Sequence, residues 1–264
     1  ISQIGGRQLA MTDGIVIRKC TTLEEFHLCV ALQKEIWQEA DLEVEPVTAF
    51  VVAAHTGGQV LGAFDGSRLA AFTLAVAGVR DKIVYLHSHM TGVHHDYRDR
   101  GIGRAIKLFQ REEALSRDIR IVRWTFDPLE FRNAYFNLNR LGAICREFLP
   151  NLYGVTTSPL HRALPTDRLV AEWQLDSPRV VAASRDLKLT PPEHYVSLKM
   201  PDHYVYQEKP AAGLAVRQPE PPDPAELQTR LRTEFTRYFQ RGYAAVAVRN
   251  DAQPAYILCP WSDF

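Results

Sequence analysis

Residues 90–107, MTGVHHDYRDRGIGRAIK, constrain the fold more than any other stretch of the chain. An apolar run ends here, the chain turns through Gly101 and Gly103, and helical periodicity begins. Ala105, Leu108, Phe109 and Leu115 recur on one face of a helix expected from about Arg104 to Arg117. Strand, glycine turn and helix together make an α/β connection. The turn lets a ligand approach the backbone closely, and the helix start offers unpaired N–H donors and the positive end of its dipole. Arg98, Arg100 and Arg104 add side-chain charge, so the stretch suits a phosphate. Two familiar phosphate loops are excluded. The Gly-Lys-Ser/Thr ending of a Walker A loop is absent. A dinucleotide fingerprint would follow the first strand and carry a third glycine.

The rest of the chain supplies the setting. GIVIRKC reads as a first strand. Thr22 and Glu25 make a capping box for a helix carrying Leu23, Phe26 and Val30, and a second helix is expected from Pro46 to His55. QVLGAF and SRLAAFTLAVA form a hairpin, with Asp65-Gly66 suiting its tight turn. KIVYLHSHMTGV is a fourth strand and IRIVRWTF a fifth. A helix near Phe131–Leu141 ends at Gly142, and AICREFL and RLVAEWQL are two more strands. The order β-α-α-β-β-β-α-β-α-β-β predicts an α/β (α+β) domain over 14–175. Residues 1–13 are expected to be a flexible leader. Beyond 175, proline-rich connectors frame a helix capped by Asp223, with Pro224 in its first turn, and a closing hairpin. Residues 176–264 are therefore expected to be a smaller accessory α+β region, serving as a cap, a dimer contact or a solvated helix.

Composition narrows the partners. With 31 basic and 31 acidic residues, no global charge recommends nucleic acid or an anionic membrane. The longest apolar run is too short to span a bilayer. Cys20, Cys29, Cys145 and Cys259 form no CxxC pair, which suggests reduced thiols in a cytoplasmic protein rather than zinc ligands or a disulfide framework.

The glycine stretch resembles motif A of the GNAT acyltransferases: an aliphatic residue, four spacers, Arg or Gln, two spacers, Gly, one spacer, then Gly or Ala. Val93, Arg98, Gly101 and Gly103 stand at its anchors, and the expected element order resembles the GNAT order. The resemblance implies a mixed, mostly antiparallel sheet flanked by helices. It also implies acetyl-CoA or another acyl-CoA as cosubstrate. The pyrophosphate would lie on the amides of Arg98, Asp99, Arg100, Gly101, Ile102, Gly103 and Arg104. Pantetheine would pair with the backbone near Thr91 and Val93 as an added strand would. Amides near Met90 and Thr91 would face the oxyanion. Asn133 would be a CoA or helix-start contact.

His87 and His89 share one side of their strand by alternation. In this family a protein base often stands where His87 does. The histone-acetylating branch has Glu there, and the arylalkylamine branch has a His-x-His pair. An amine must lose a proton before attacking a thioester, and an imidazole accepts one at neutral pH. Simple packing and hydrogen bonding is the alternative for either histidine. A zinc site with His94, His95 and Asp96 is the other alternative. The family needs no metal, however, and the residues at positions 94 and 95 fall on motif spacers that normally lie toward solvent. Asp127, ending the fifth strand before Pro128, suits either a turn carboxylate or an orienting acid. The family's tyrosine acid, four residues before Gly142, is replaced by Leu138. Tyr135 is the candidate for that role and Tyr153 the runner-up. The expected activity is transfer of an acyl group, acetyl foremost, to the amine of a small molecule or amino acid. Succinyl transfer to amino acids, protein or peptide acetylation, and acyl-CoA binding without turnover are the alternatives. A homodimer is compatible with all of them.

Overall fold

The computed structural model describes residues 9–10, 14–37, 44–154, 164–201 and 223–261. They divide into two compact units, one reaching Trp124 and the other beginning at Thr125. The boundary expected at 175 thus falls inside the second unit. Most of the expected leader lies outside the described residues. Its residues Leu9–Ala10 form a short strand, β1, antiparallel to the next.

The first unit is a sheet with helices on both faces. Its strands follow chain order: β1, β2 (Ile15–Lys19), β3 (Gln59–Asp65), β4 (Arg68–Arg80) and β5 (Ile83–Val93) are antiparallel neighbours, and β6 (Ile121–Phe126), which belongs to this unit as far as Trp124, is parallel to β5 at Val122 and Arg123. Helices α1 (Leu23–Trp37) and α2 (Val47–His55) cover one face. Their Phe26, Cys29, Leu32, Phe50 and Ala53 bury against Val60, Phe64, Phe72 and Leu74 of the sheet. Helix α3 (Ile102–Leu115) covers the other face. Its Ile102, Ile106 and Phe109 bury against Ile15, Ile17, Leu61, Ala63 and Ala71. Strand β3 is buried from Gln59 to Phe64, so its alternate residues serve the two cores and an unbroken apolar run results. The Thr22–Glu25 box forms, with Thr22 Oγ1 accepting from the Glu25 N–H and the Glu25 carboxylate accepting from the Thr22 N–H. The β3–β4 turn is one residue later than expected: Gly66, at φ 58°, and Ser67 are its central residues, while Asp65 still pairs with Arg68.

The second unit holds α4 (Phe131–Tyr135), which runs into a five-residue π turn at Phe136–Arg140. Leu141 and Gly142, the latter at φ 77°, then end the helical stretch. Its sheet places β8 (Arg168–Gln174) beside β7 (Ile144–Leu149). Next come β10 (Tyr243–Arg249), β11 (Ala255–Pro260) and β9 (Val196–Lys199). Helix α6 (Pro224–Gln240) buries Leu227, Leu231 and Phe235, and Phe235 stacks on Phe148 and meets Tyr256 edge-on. Asp223 caps this helix, accepting from the Ala225 N–H. The SPRVV stretch, read as a connector, is instead helix α5 (Pro178–Ser184). Ser177 caps it and Pro178 takes the first position, where a missing N–H costs nothing. Strand β9 was also unexpected from the sequence.

Candidate functional site

Strand β5 holds most of the candidate residues, and two irregularities shape it. The first is a fork. β5 pairs with β6 at Leu86↔Val122 and His87↔Arg123. From Ser88 to Val93 it continues along β4. Ser88 and Trp124 are thus the first residues beyond the last recorded pair. The second is a bulge. Leu74 pairs with Met90 and Ala75 with Ser88, leaving His89 as the extra residue.

The bulge resets which way each side chain points. Ser88 faces α3, where its hydroxyl donates to Gln110 Oε1 at 3.3 Å and accepts from Lys107 Nζ at 3.1 Å. His89 faces the α1–α2 side, its Nε2 at 2.9 Å from Glu45 Oε1 just before α2. Met90 packs into the α1–α2 core, so two consecutive side chains share that face. Thr91 and Val93 are thereby turned to the α3 face: Val93 packs into the α3 core, and the Thr91 hydroxyl lies 2.7 Å from that of Thr73. His87 and His89 have ring centroids 6.3 Å apart. His87 is half-buried, and its pKa is lowered first by burial and then by the nearby charges of His89, Arg123 and Lys107. Its imidazole is therefore neutral at pH 7 and able to accept a proton.

The loop after β5 is held from beneath. The His94 N–H donates to the Ala70 carbonyl, a 3-10 turn spans His95–Tyr97, and Tyr97 donates to Asp65 at 2.8 Å. His94 does not lie toward solvent as its motif position suggests; it is 3% exposed. Its Nδ1 accepts from the Asp96 N–H at 3.1 Å, and its Nε2 lies 2.6 Å from Glu35 Oε1 of α1. Arg68 reaches both the ring and Asp96. Glu35, His94 and His95 come close enough to share a cation. However, both ring nitrogens of His94 are already engaged, Nδ1 by the Asp96 N–H and Nε2 between the Glu35 carboxylate and the Arg68 guanidinium. The sequence held no sign of this network, because its members come from three separate elements.

Above that base, Asp99 and Gly101 take left-handed backbone at φ 61° and 77°, and Gly101 is the N-cap of α3. The first helical N–H groups, including those of Ile102, Gly103 and Arg104, have no carbonyl of the same helix to meet. A methyl built on Gly101 would meet no heavy atom within 4 Å, and one on Gly103 only Val93 Cγ2 at 3.5 Å. Gly101 is thus required by its φ, whereas the position of Gly103 would accept alanine, as the motif allows. Arg98 donates to the Val93 carbonyl, and Arg100 lies over the Tyr97 ring.

Asp127, Asn133 and Tyr135 belong to the second unit. Asp127 Oδ1 accepts from the Leu129 N–H at 2.8 Å, a turn-forming bond, and Oδ2 lies 3.9 Å from Arg168. Asn133 is exposed on α4 and Tyr135 is half-buried at its end. The Tyr153 hydroxyl is 2.9 Å from that of Thr125. Among residues the sequence reading passed over, Lys107 stands out. It is 4% exposed and bonded to Ser88 and Gln110, with Nζ 4.2 Å from the centre of the Trp124 ring. Its place on the stripe of Gly103, Gln110 and Ala114 was the available signal.

No protein-family model and no curated protein matches the chain. Solved structures do. A Streptococcus mutans protein aligns at TM-score 0.50 and 18% identity, over 61% of this chain and 99% of that one. A candidate acetyltransferase from Acinetobacter baylyi aligns at 0.50 and 15%, over 62% and 94%. A candidate GNAT-family acetyltransferase from Desulfovibrio desulfuricans gives 0.49 and 12%, over 61% and 99%.

Proposed function

From the GNAT fold that this chain has, we propose an acyl-CoA-dependent N-acyltransferase that moves an acyl group, acetyl foremost, onto the amine of a small molecule or amino acid. The observation that carries the reading is the fork. Strands β5 and β6 stop pairing at His87 and Arg123, and β5 runs on for six residues to Val93, where the loop that leads to Gly101 begins. That is about 20 Å of strand, suited to an extended arm with a phosphate group at one end and a reactive thioester at the other.

The residues divide the work. Backbone amides from Arg98 to Arg104 and the start of α3 hold the pyrophosphate. The edge of β5 near Thr91 and Val93 pairs with pantetheine. His87, kept neutral by burial, takes the proton of the incoming ammonium directly or through a water, and His89, oriented by Glu45, shares its side of the strand. The amine nitrogen attacks the thioester carbon, and the C–S bond breaks with its electrons going to sulfur. Burial of all four cysteines suits a cytoplasmic protein and attack by the substrate itself rather than by an enzyme thiol. Among the described residues, no helix is long and apolar enough to cross a membrane.

A panel of acyl-CoAs crossed with amines, amino acids and peptides, read by released thiol, tests the proposal. Turnover with acetyl-CoA and a small amine is the expected result. A preference for succinyl-CoA or for peptides would redirect it, and binding of CoA with no thiol release from any pair would refute it.

A further inference from the structure

We propose that Lys107 is the proton donor to the departing CoA thiolate. The proposal rests on the acyl-CoA reading of the fork given above. Its basis is position. Ser88 and Trp124 are the first residues beyond the last β5–β6 pair, and the Lys107 ammonium touches both, 3.1 Å from Ser88 Oγ and 4.2 Å from the centre of the Trp124 ring. The lysine therefore rises from α3 into the apex of the fork. His87 and His89 lie on the opposite face of the same strand. A thioester in the fork would have a proton acceptor on one side and a cation on the other.

An ammonium is an unusual choice for such a place. A neutral side chain of similar length would fill it without the penalty of burying a charge. Here Gln110 Oε1 at 2.5 Å, the Ser88 hydroxyl and the indole face hold the group in place. Among the titratable groups on neighbouring elements, His87 on β5 feels the Lys107 charge, and Glu113 lies farther along α3. Glu113 is engaged by Lys19 of β2 and by Arg117. β3 presents the neutral Gln59 to this helix, and β4 presents Thr73 beside Thr91.

Burial lowers the Lys107 pKa to about 7. A CoA-like thiol has a pKa of about 8.5, so proton transfer from such a lysine to the thiolate is downhill by roughly thirty-fold. From an ordinary lysine, or from a tyrosine near 10, it would be uphill by a similar or larger factor. The step balances. The amine proton goes to His87, the C–S electron pair goes to sulfur, and an Nζ proton follows it. Lysine is left neutral and is recharged from solvent after the thiol departs.

The test compares wild type with Lys107→Met and Lys107→Arg in the full chain. It follows acetyl-CoA binding by calorimetry and kcat against pH by thiol release, with a thermal melt of each variant. Methionine removes charge and proton; arginine keeps the charge but has no proton to give at these pH values. Both variants should bind acetyl-CoA within a few-fold of wild type. Both should lose turnover by about 10²-fold, and the alkaline limb that wild type shows should be absent. Binding intact with turnover within three-fold, or with the alkaline limb retained, overturns the role of Lys107 alone. Arginine restoring turnover would reduce the role to charge and overturn proton donation. Failure of wild type itself to bind acetyl-CoA would remove the acyl-CoA reading, and the Lys107 proposal with it.

Discussion

Replacing Gly101 by alanine separates backbone strain from ligand contact. The residue sits at φ 77° and a Cβ there would meet no protein atom within 4 Å. Its cost to the free protein is then conformational: roughly 1–2 kcal/mol for holding an L residue in the left-handed region, or a melting shift of a few degrees for a chain of this size. Gly242, after α6, offers a matched control. It has φ 80° and equally open surroundings, and it lies in the second unit. Gly242→Ala should therefore destabilise by the same amount. The two variants should part company in calorimetric titration with acetyl-CoA. The methyl added by Gly101→Ala would project where the pyrophosphate meets the helix start, so the dissociation constant should rise at least ten-fold, about 1.4 kcal/mol. Gly242→Ala should bind like wild type. Gly101→Glu, adding bulk and negative charge, should abolish binding while the fold survives. Equal melting shifts with equal acetyl-CoA affinity in the two alanine variants would refute the phosphate-loop assignment.

Three further outcomes are expected. Combining His87→Ala with His89→Ala should lower turnover by about 10²-fold and remove an acid limb lying below the ordinary imidazole value of 6.5, since burial depresses His87; an unchanged pH profile would place the base elsewhere. Stability should respond to pH through Lys107, whose pKa falls from 10.5 unfolded to about 7 folded. The native state binds fewer protons between those values, so stability should drop by up to about 3 kcal/mol as pH falls from ~9 to ~7. Lys107→Met should flatten that slope in denaturant melts. In the second unit, fully buried Asp167 takes a two-pronged bond from Arg232 at 2.8 and 2.9 Å. Arg232→Ala leaves that carboxylate its Asn151 N–H but no guanidinium, and should cost about 2–3 kcal/mol, tempered by the partial exposure of Arg232; a melt within about 0.5 kcal/mol of wild type would contradict this.

Local chemistry made part of this protein legible from its residues. Caps at Thr22, Asp223 and Gly142 and the Val93–Gly103 spacing are each set by neighbours a few residues away. These features sufficed for the strand and helix order and for the glycine turn. Residues 178–184 were missed because a proline reads equally well as connector and as first helical residue. Contacts that cross the sheet decided what remained. The bulge at His89 comes from the β4–β5 register, and it sends Ser88 toward α3 while His89 and Met90 face α1 and α2. The burial of His94 depends on Glu35 and Arg68, which lie far from it in sequence. In sequence Lys107 shows only that it shares a helix stripe with Gly103, Gln110 and Ala114. Only the fork between β5 and β6, a property of two strands and the helix beneath them, makes it a buried cation, because desolvation depends on what the fold packs around a charge and not on its sequence neighbours.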